Sequence, residues 1–339
     1  MRTLIVGNGM LGRAIGECVG PDHTVVRNVP WSDPSASREH LATEVGRFLE
    51  LHRAQEHLIC WSAGIGVVGT PAAALADERQ ALLSFLENMK RSPSFRPGSC
   101  QLFVASSAGG IYAAGDGTEC DERSAPRPRS DYGLNKLAQD AAVETWATEH
   151  RVRVLIGRIS NLYGPQQNLS KPQGFISHLC RAIARRSRFT LSVPASTVRD
   201  FVFTDDVARR ILMWAHHAEL DEGLVTTKLL VSGRSITLGQ VIAKTRSIAR
   251  APTRILLGSR PGDDQQPAAL RFRSRVLPQI DEAVPNRTIE DGIRTTWIAA
   301  LRSLQAGDRA IGPSPAEAIT GSEAVTGSEA VTGVRADPA

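Results

Sequence analysis

Three glycines close to the start of the chain constrain its fold more than any other feature. Leu4-Ile5-Val6 reads as a buried strand, and Gly7-Asn8-Gly9-Met10-Leu11-Gly12 then turns sharply into a helix. The first glycine permits the tight turn, the second lets backbone approach a pyrophosphate, and the third lets helix pack closely on strand. The helix N-terminus adds unpaired N–H groups and the positive end of the helix dipole, which suits a phosphate. Taken alone, such a motif is also compatible with a Gly-rich turn that holds nothing. The strand before it and the helix after it favour a dinucleotide site, with residues 7–12 as its expected contacts.

Apolar runs then alternate with helical patterns. Strands are expected at 3–6, 24–26, 58–61, 102–106, 154–159 and 229–232. Helices are expected at 11–18, 40–52, 71–90, 132–149, 175–186, 205–216 and 238–249. This alternation predicts an α/β, doubly wound parallel sheet whose ligand lies across the carboxyl ends of the strands. Ser62-Ala63-Gly64 and Ser106-Ser107-Ala108 end two of those strands and would line the cleft. Residues 1–165 are expected to form the dinucleotide-binding domain and 166–307 mainly a smaller lobe, with the helix at 205–217 returning to the first domain. From 308 to 339 a six-residue repeat, Glu317–Ser322 and its two successors, is too short, polar and Gly-containing to bury a core, so a disordered tail is expected.

Tyr132 and Lys136 stand four residues apart in Ser-Asp-Tyr-Gly-Leu-Asn-Lys, one turn along a predicted helix and on one face of it. An ammonium beside a phenol favours the phenolate, which makes the pair a candidate acid/base unit. Alone it is as compatible with a solvated surface pair; a dinucleotide site upstream gives it meaning. Other chemistries find less support. The five cysteines are scattered without a C-x-x-C, and the eight histidines form no H-x-x-x-H, so neither a disulfide frame nor a metal site is expected. A net charge of +5 is modest for 339 residues, and the run Arg181 to Arg188 lacks interleaved aromatics. A solvated helix face is the expected reading there, ahead of a nucleic-acid patch. No apolar stretch approaches the ~18 residues of a membrane span, and no export signal precedes the first strand. A cytoplasmic protein with no nucleic-acid or membrane partner is therefore expected.

With these motifs together, the chain resembles the extended short-chain dehydrogenase/reductase family, the NAD-dependent epimerases and dehydratases. The likeness runs from about residue 3 to 300. Besides the Gly motif and Tyr132/Lys136, it rests on Ala105–Tyr112 (Ala-Ser-Ser-Ala-Gly-Gly-Ile-Tyr), Arg158–Pro165 (Arg-Ile-Ser-Asn-Leu-Tyr-Gly-Pro) and Val198–Val207 (Val-Arg-Asp-Phe-Val-Phe-Thr-Asp-Asp-Val). The resemblance implies a Rossmann-type domain holding NAD or NADP and a C-terminal lobe holding a nucleotide-linked sugar. It implies that Tyr132 moves the proton of a sugar hydroxyl while hydride passes to or from the nicotinamide, and that Lys136 holds the nicotinamide ribose. Ser62, Ala63, Gly64 and Ser106 would contact the cofactor. Asn161, Arg199 and Ala108 would contact the substrate, although Arg199 could instead pair with Asp200 or Asp205, and Asn161 could cap a turn. Relatives often pair through the helices after residues 71 and 132, so a homodimer is expected, with Ala141, Ala142 and Ala147 permitting close packing.

Two departures from the family pattern matter. The usual hydroxyl residue ahead of Tyr112 is replaced by Ala108 or Gly110; Ser107 or Ser106 just upstream could supply the hydroxyl, with Ser107 the favoured third catalytic member, and a serine that only bonds its own backbone is the alternative. No carboxylate follows the 24–26 strand until Asp33, whereas Arg27 and Arg13 could receive a 2′-phosphate; the choice between NAD and NADP stays open. Sugar 4,6-dehydratases of this family carry an Asp-Glu pair where this chain has Gly109 and Gly110. That leaves an epimerase or a ketoreductase as the expected enzyme. The alternatives are a dehydratase drawing on the acidic loop 116–122, a reductase of a non-sugar carbonyl, or a non-catalytic redox sensor.

Overall fold

The computed structural model describes residues 1–114, 117–171, 173–217, 224–258 and 266–306. In the first half β1 (Arg2–Val6), α1 (Met10–Val19), β2 (His23–Val26), α2 (Pro34–Leu51), β3 (His57–Trp61) and α3 (Ala72–Arg91) follow in turn. Next come β4 (Cys100–Ser107), the one-turn α4 (Ala108–Ile111), β5 (Glu119–Cys120), α5 (Asp131–His150) and β6 (Arg153–Ile159). The second half contains β7 (Asn161–Tyr163), α6 (Phe175–Ala184), β8 (Arg188–Leu191), β9 (Val198–Phe203), α7 (Thr204–His216) and β10 (Val225–Leu230). It ends with β11 (Ser235–Thr237), α8 (Leu238–Ala249), β12 (Arg254–Leu257), β13 (Arg271–Phe272), α9 (Pro278–Ala283) and α10 (Ile289–Gln305).

Six strands form one parallel sheet in the order β2-β1-β3-β4-β6-β10. Both of its faces are covered, which is why β3 reads as an unbroken apolar run. Ile59 and Trp61 of β3 point into the core shared with α2, α3 and α5; Leu58 and Cys60 point into the core shared with α1 and α7. Strand order reverses between β1 and β3, and a cleft opens at their carboxyl ends. The sheet is the doubly wound α/β architecture expected of a Rossmann-type domain. The second lobe is built from a β11-β9-β7 sheet, the β12-β8 pair and helices α6, α8 and α10 around Ile176, Phe201, Phe203, Val241 and Ile293.

Several expectations shift. α7 packs against α1 and β10 pairs with β6, so both elements sit with the six-stranded sheet. β10 begins four residues before the expected strand because Thr226, Thr227 and Lys228 conceal it. Lys228 is wholly buried, donating to Ser274 Oγ (2.7 Å), Val276 O (2.6 Å) and Asp281 Oδ2 (2.6 Å). α2 starts six residues early. Asp33 accepts from the Ser35 and Ala36 amides, and Pro34 occupies the first turn, where its missing N–H costs nothing. Ala147 is buried in the core rather than facing outward. The acidic stretch is structural too: Glu119 pairs with Arg273, Asp121 with Arg275, and Glu122 accepts from the Leu229 and Arg275 amides. The repeat at 308–339 lies outside the described residues. Among the described residues, no helix is long and apolar enough to cross a membrane.

Asp281 joins the C-terminal segment to the sheet by pairing with both Lys228 and Arg210, each 1 % exposed. Removing one member of a buried charge pair leaves the others uncompensated. Asp281→Ala is therefore expected to lower unfolding stability by about 3 kcal/mol, read from urea denaturation.

Candidate active site

The glycine turn has the geometry its spacing predicts. A Cβ on Gly12 would lie 1.9 Å from the Gly7 carbonyl oxygen, so α1 can sit this close to β1 only with glycine there. Gly7 has φ +107°, and a Cβ on it would strike the Ser62 and Ala63 backbone at 2.5–2.7 Å, where the loops after β1 and β3 cross. Ser62 clasps that crossing by donating to the Val6 and Gly7 carbonyls. Gly9, in contrast, has nothing within 4 Å of its Cβ position. It caps α1 without a side-chain acceptor, and no acidic residue stands in the first turn. Free amides, a dipole end and open space are the donor set a pyrophosphate requires. The residues present fit a dinucleotide. Gly9, Met10, Leu11, Ser62, Ala63 and Gly64 line the cleft, whose volume is about 1350 Å³; Gly7 and Gly12 serve behind it, and Arg27 is exposed just past β2.

Tyr132 occupies a slot between two backbones. A Cβ on Gly110 would lie 3.0 Å from its Cε1, and one on Gly66 would lie 3.1 Å from its Cδ2. The slot exists because α5 docks on α4 through Gly133, whose Cβ position is 2.3 Å from the Gly110 carbonyl oxygen. Ser130 caps α5 by accepting from the Gly133 amide, which fixes where the helix starts. One turn on, the Lys136 ammonium is buried and donates to Glu78 Oε1 (2.8 Å) and Gln139 Oε1 (3.1 Å). Glu78, on α3, also accepts from the Ile65 and Gly66 amides, each at 2.8 Å. Burial pushes the Glu78 carboxyl up, but Lys136, the Gly66 amide and Gln139 outweigh it and hold it below the usual carboxylate range. Burial pulls Lys136 down, and Glu78, Tyr132 and Asp140 outweigh it and hold it above the usual lysine value. Sequence reading missed Glu78, which stands in Asp-Glu-Arg and looks like a surface residue.

Ser107 caps α4, accepting from the Gly110 amide at 3.1 Å, and lines the cleft with its hydroxyl proton still available. Ser106 also lines the cleft. Behind both lies a buried ionic chain in which Arg158 donates to Asp140 (2.9 Å) and to the Tyr112 hydroxyl (2.6 Å). Ala108 does not reach the cleft. β4 passes directly into α4, which turns the Ala108 side chain into the core beside Ile111 and Leu229, fully buried.

On the lobe side, Asn161 lines the cleft and also ties β7 to β9 by donating to the Asp200 carbonyl. Among the described residues, Arg199 pairs with no carboxylate. It donates to the Val198 and Pro267 carbonyls and to Gln266, and burial lowers its guanidinium to about 10. Asp200 instead accepts from Ser160, Ser232 and the Arg234 amide, and Asp205 pairs with Arg287. The basic run divides: Arg181 is buried, whereas Arg185, Arg186 and Arg188 are exposed, and Arg181, Arg185 and Arg188 line the cleft with Lys171. No Asp or Glu lines it among the described residues, and no cluster there could hold a metal ion.

The model of the NAD dependent epimerase/dehydratase family matches residues 31–225, more than half of the chain. The chain belongs to that family. A dTDP-L-rhamnose 4-epimerase from Burkholderia thailandensis is 37% identical over 92 residues, 27% of this chain and 25% of that protein. A dTDP-glucose 4,6-dehydratase from Mycobacterium tuberculosis is 28% identical over 178 residues, 50% of this chain and 49% of that one. The chain thus spans half or less of these relatives' lengths. The structure of MoeE5 in complex with UDP-glucose and NAD superposes with a TM-score of 0.73 at 22% identity, covering 90% of this chain and all of that one, and establishes the shared fold.

The Glu78–Lys136 pair makes stability depend on pH in a defined window. A carboxylate held low contributes above its unfolded value near ~4.3 and loses that contribution as pH falls through its native value. An ammonium held high contributes below ~10.4 and loses it as pH rises through its native value. Glu78→Gln is expected to lower the thermal midpoint most near neutral pH. Its deficit relative to the parent should shrink toward both acid and alkaline extremes, as measured by calorimetry across pH.

Proposed function

We propose that this protein is an NAD(P)-dependent epimerase or ketoreductase of a nucleotide-linked sugar, with Tyr132 as its acid/base. The observation that carries this reading is the slot holding Tyr132 between Gly66 and Gly110, in the cleft that begins at the open Gly9 turn. When bound, the dinucleotide supplies a hydride acceptor or donor for a sugar carbinol or carbonyl carbon. The α1 N-terminus and Gly9 would hold its pyrophosphate, with Ser62, Ala63 and Gly64 flanking the rest. Tyr132 takes or returns the hydroxyl proton of the reacting carbon, Lys136 positions ribose and phenol, and Ser107 donates to the substrate oxygen. Asn161, Arg199 and the cleft cations Lys171, Arg181, Arg185 and Arg188 meet the substrate's diphosphate, for which a guanidinium fork is well shaped.

An elimination is less well supported. It needs a placed acid and base, yet glycines stand at 109 and 110, and the carboxylates of 119–122 are engaged with residues 229 and 273–275. A cleft lined by cations favours an anionic substrate over a simple ketone, and retention of the Tyr/Lys pair argues against a mere sensor. Pairing of two copies would use α3 and α5, which pack side by side and leave Leu134 55% exposed.

Incubation with a panel of nucleotide sugars while following reduced cofactor separates the alternatives. Stoichiometric oxidation of the cofactor means reductase, and an isomerised sugar without net oxidation means epimerase. Bound cofactor with no product from any sugar would overturn the proposal. Tyr132→Phe is expected to keep cofactor affinity within about twofold while turnover falls at least ~100-fold. Full activity in that variant would remove the assigned base.

The adenosine end favours NADP. Asp33 is engaged in capping α2, and Arg27 and Arg13 are exposed beside the turn. Arg27→Ala is expected to weaken NADP binding about tenfold and leave NAD binding unchanged, as titration calorimetry would show.

A further inference from the structure

We propose that Glu78 is a positioning residue that fixes Lys136 and offsets its charge, so that the buried ionic set around Tyr132 is electrically neutral before reaction. The proposal rests on the reading of Tyr132 as the acid/base. Both oxygens of Glu78 are occupied. Oε1 accepts from Lys136 (2.8 Å) and Gln139 (3.2 Å), and Oε2 accepts from the Ile65 and Gly66 amides. Gly66 is one wall of the tyrosine slot. A single carboxylate therefore sets the ammonium and the backbone beside the phenol together, from a helix whose described residues do not line the cleft.

The charges facing Tyr132 come from several elements. α3 supplies Glu78; α5 supplies Lys136 and Asp140; β6 supplies Arg158, which donates to the neutral Tyr112 phenol; Lys171 reaches in from the lobe to donate to the Gly64 carbonyl at the cleft mouth. The buried members are two cations and two carboxylates. Lys136 and Glu78 side chains are 8% and 6% exposed, so water screens neither. Glutamine in place of Glu78 keeps the shape and leaves one uncompensated positive charge beside the phenol. Methionine in place of Lys136 leaves one uncompensated negative charge.

This makes a charge cycle that does not depend on turnover. The chain has three tyrosines. The phenolate absorbance that disappears from the alkaline titration in Tyr132→Phe is that of Tyr132. In Glu78→Gln that transition is expected about one pH unit lower than in the parent. In Lys136→Met it is expected higher, and in the double variant it should return close to the parent. If Glu78→Gln does not fold, the comparison of Lys136→Met with the double variant, which lacks both charges, reads the same effect. Should the transition ignore the residue at 78 in both pairs, Glu78 is a structural prop only and the proposal is overturned. The acid limb of turnover against pH, once a sugar substrate is found, should move in the same direction in Glu78→Gln. A shifted phenolate transition in a protein that turns over no sugar would sustain the role of Glu78 and reject the reaction instead.

Discussion

Backbone meeting backbone without intervening side chains is the constraint on which this architecture depends. α1 reaches the Gly7 carbonyl only through Gly12, the loops after β1 and β3 cross only through Gly7, and α5 seats on α4 only through Gly133. Gly66 and Gly110 then leave a gap just wide enough for one aromatic ring. A methyl group at any of the first three would displace backbone, which moves far less readily than a side chain. The strand ends and α5 are thereby drawn together at the cleft, and the chemistry is located by where bulk is missing.

Polar groups complete what the glycines allow. Ser62, Ser107, Ser130 and Asp33 each satisfy amides or carbonyls at the ends of elements, and three of them cap helices. Such short-range bonds fix where each helix begins, and hence which side chains face the cleft. Asp33 commits one carboxylate oxygen to two amides of its own helix, which fixes where α2 begins.

Much of this was readable from local pattern. β1, the glycine turn and the Tyr132/Lys136 helix depend on residues within a few positions of one another, and their spacing carries the geometry. What escaped depends on partners distant in sequence. Glu78 and Lys136 are 58 residues apart, and nothing around Glu78 distinguishes it from a surface acid. β10 was concealed by Thr226, Thr227 and Lys228, whose burial is possible only because Ser274, Val276 and Asp281 arrive from later in the chain. The lobe strands are short and pair across long separations, so no alternation betrays them. Ala108 stands where β4 passes without a break into α4, and it is buried beside Ile111 and Leu229.

The position of β10 has a further consequence for how the molecule comes together. The sheet stays one strand short until residues 225–230 are available, although β6 ends at Ile159. During that interval the outer edge of β6 is an open row of amides and carbonyls, able to pair with any extended neighbour. Much of the lobe is synthesised in the meantime, so the two halves are interlaced along the polypeptide. No single cut could release either as a finished body, and closing the edge requires a contact between remote segments, the kind that forms slowly.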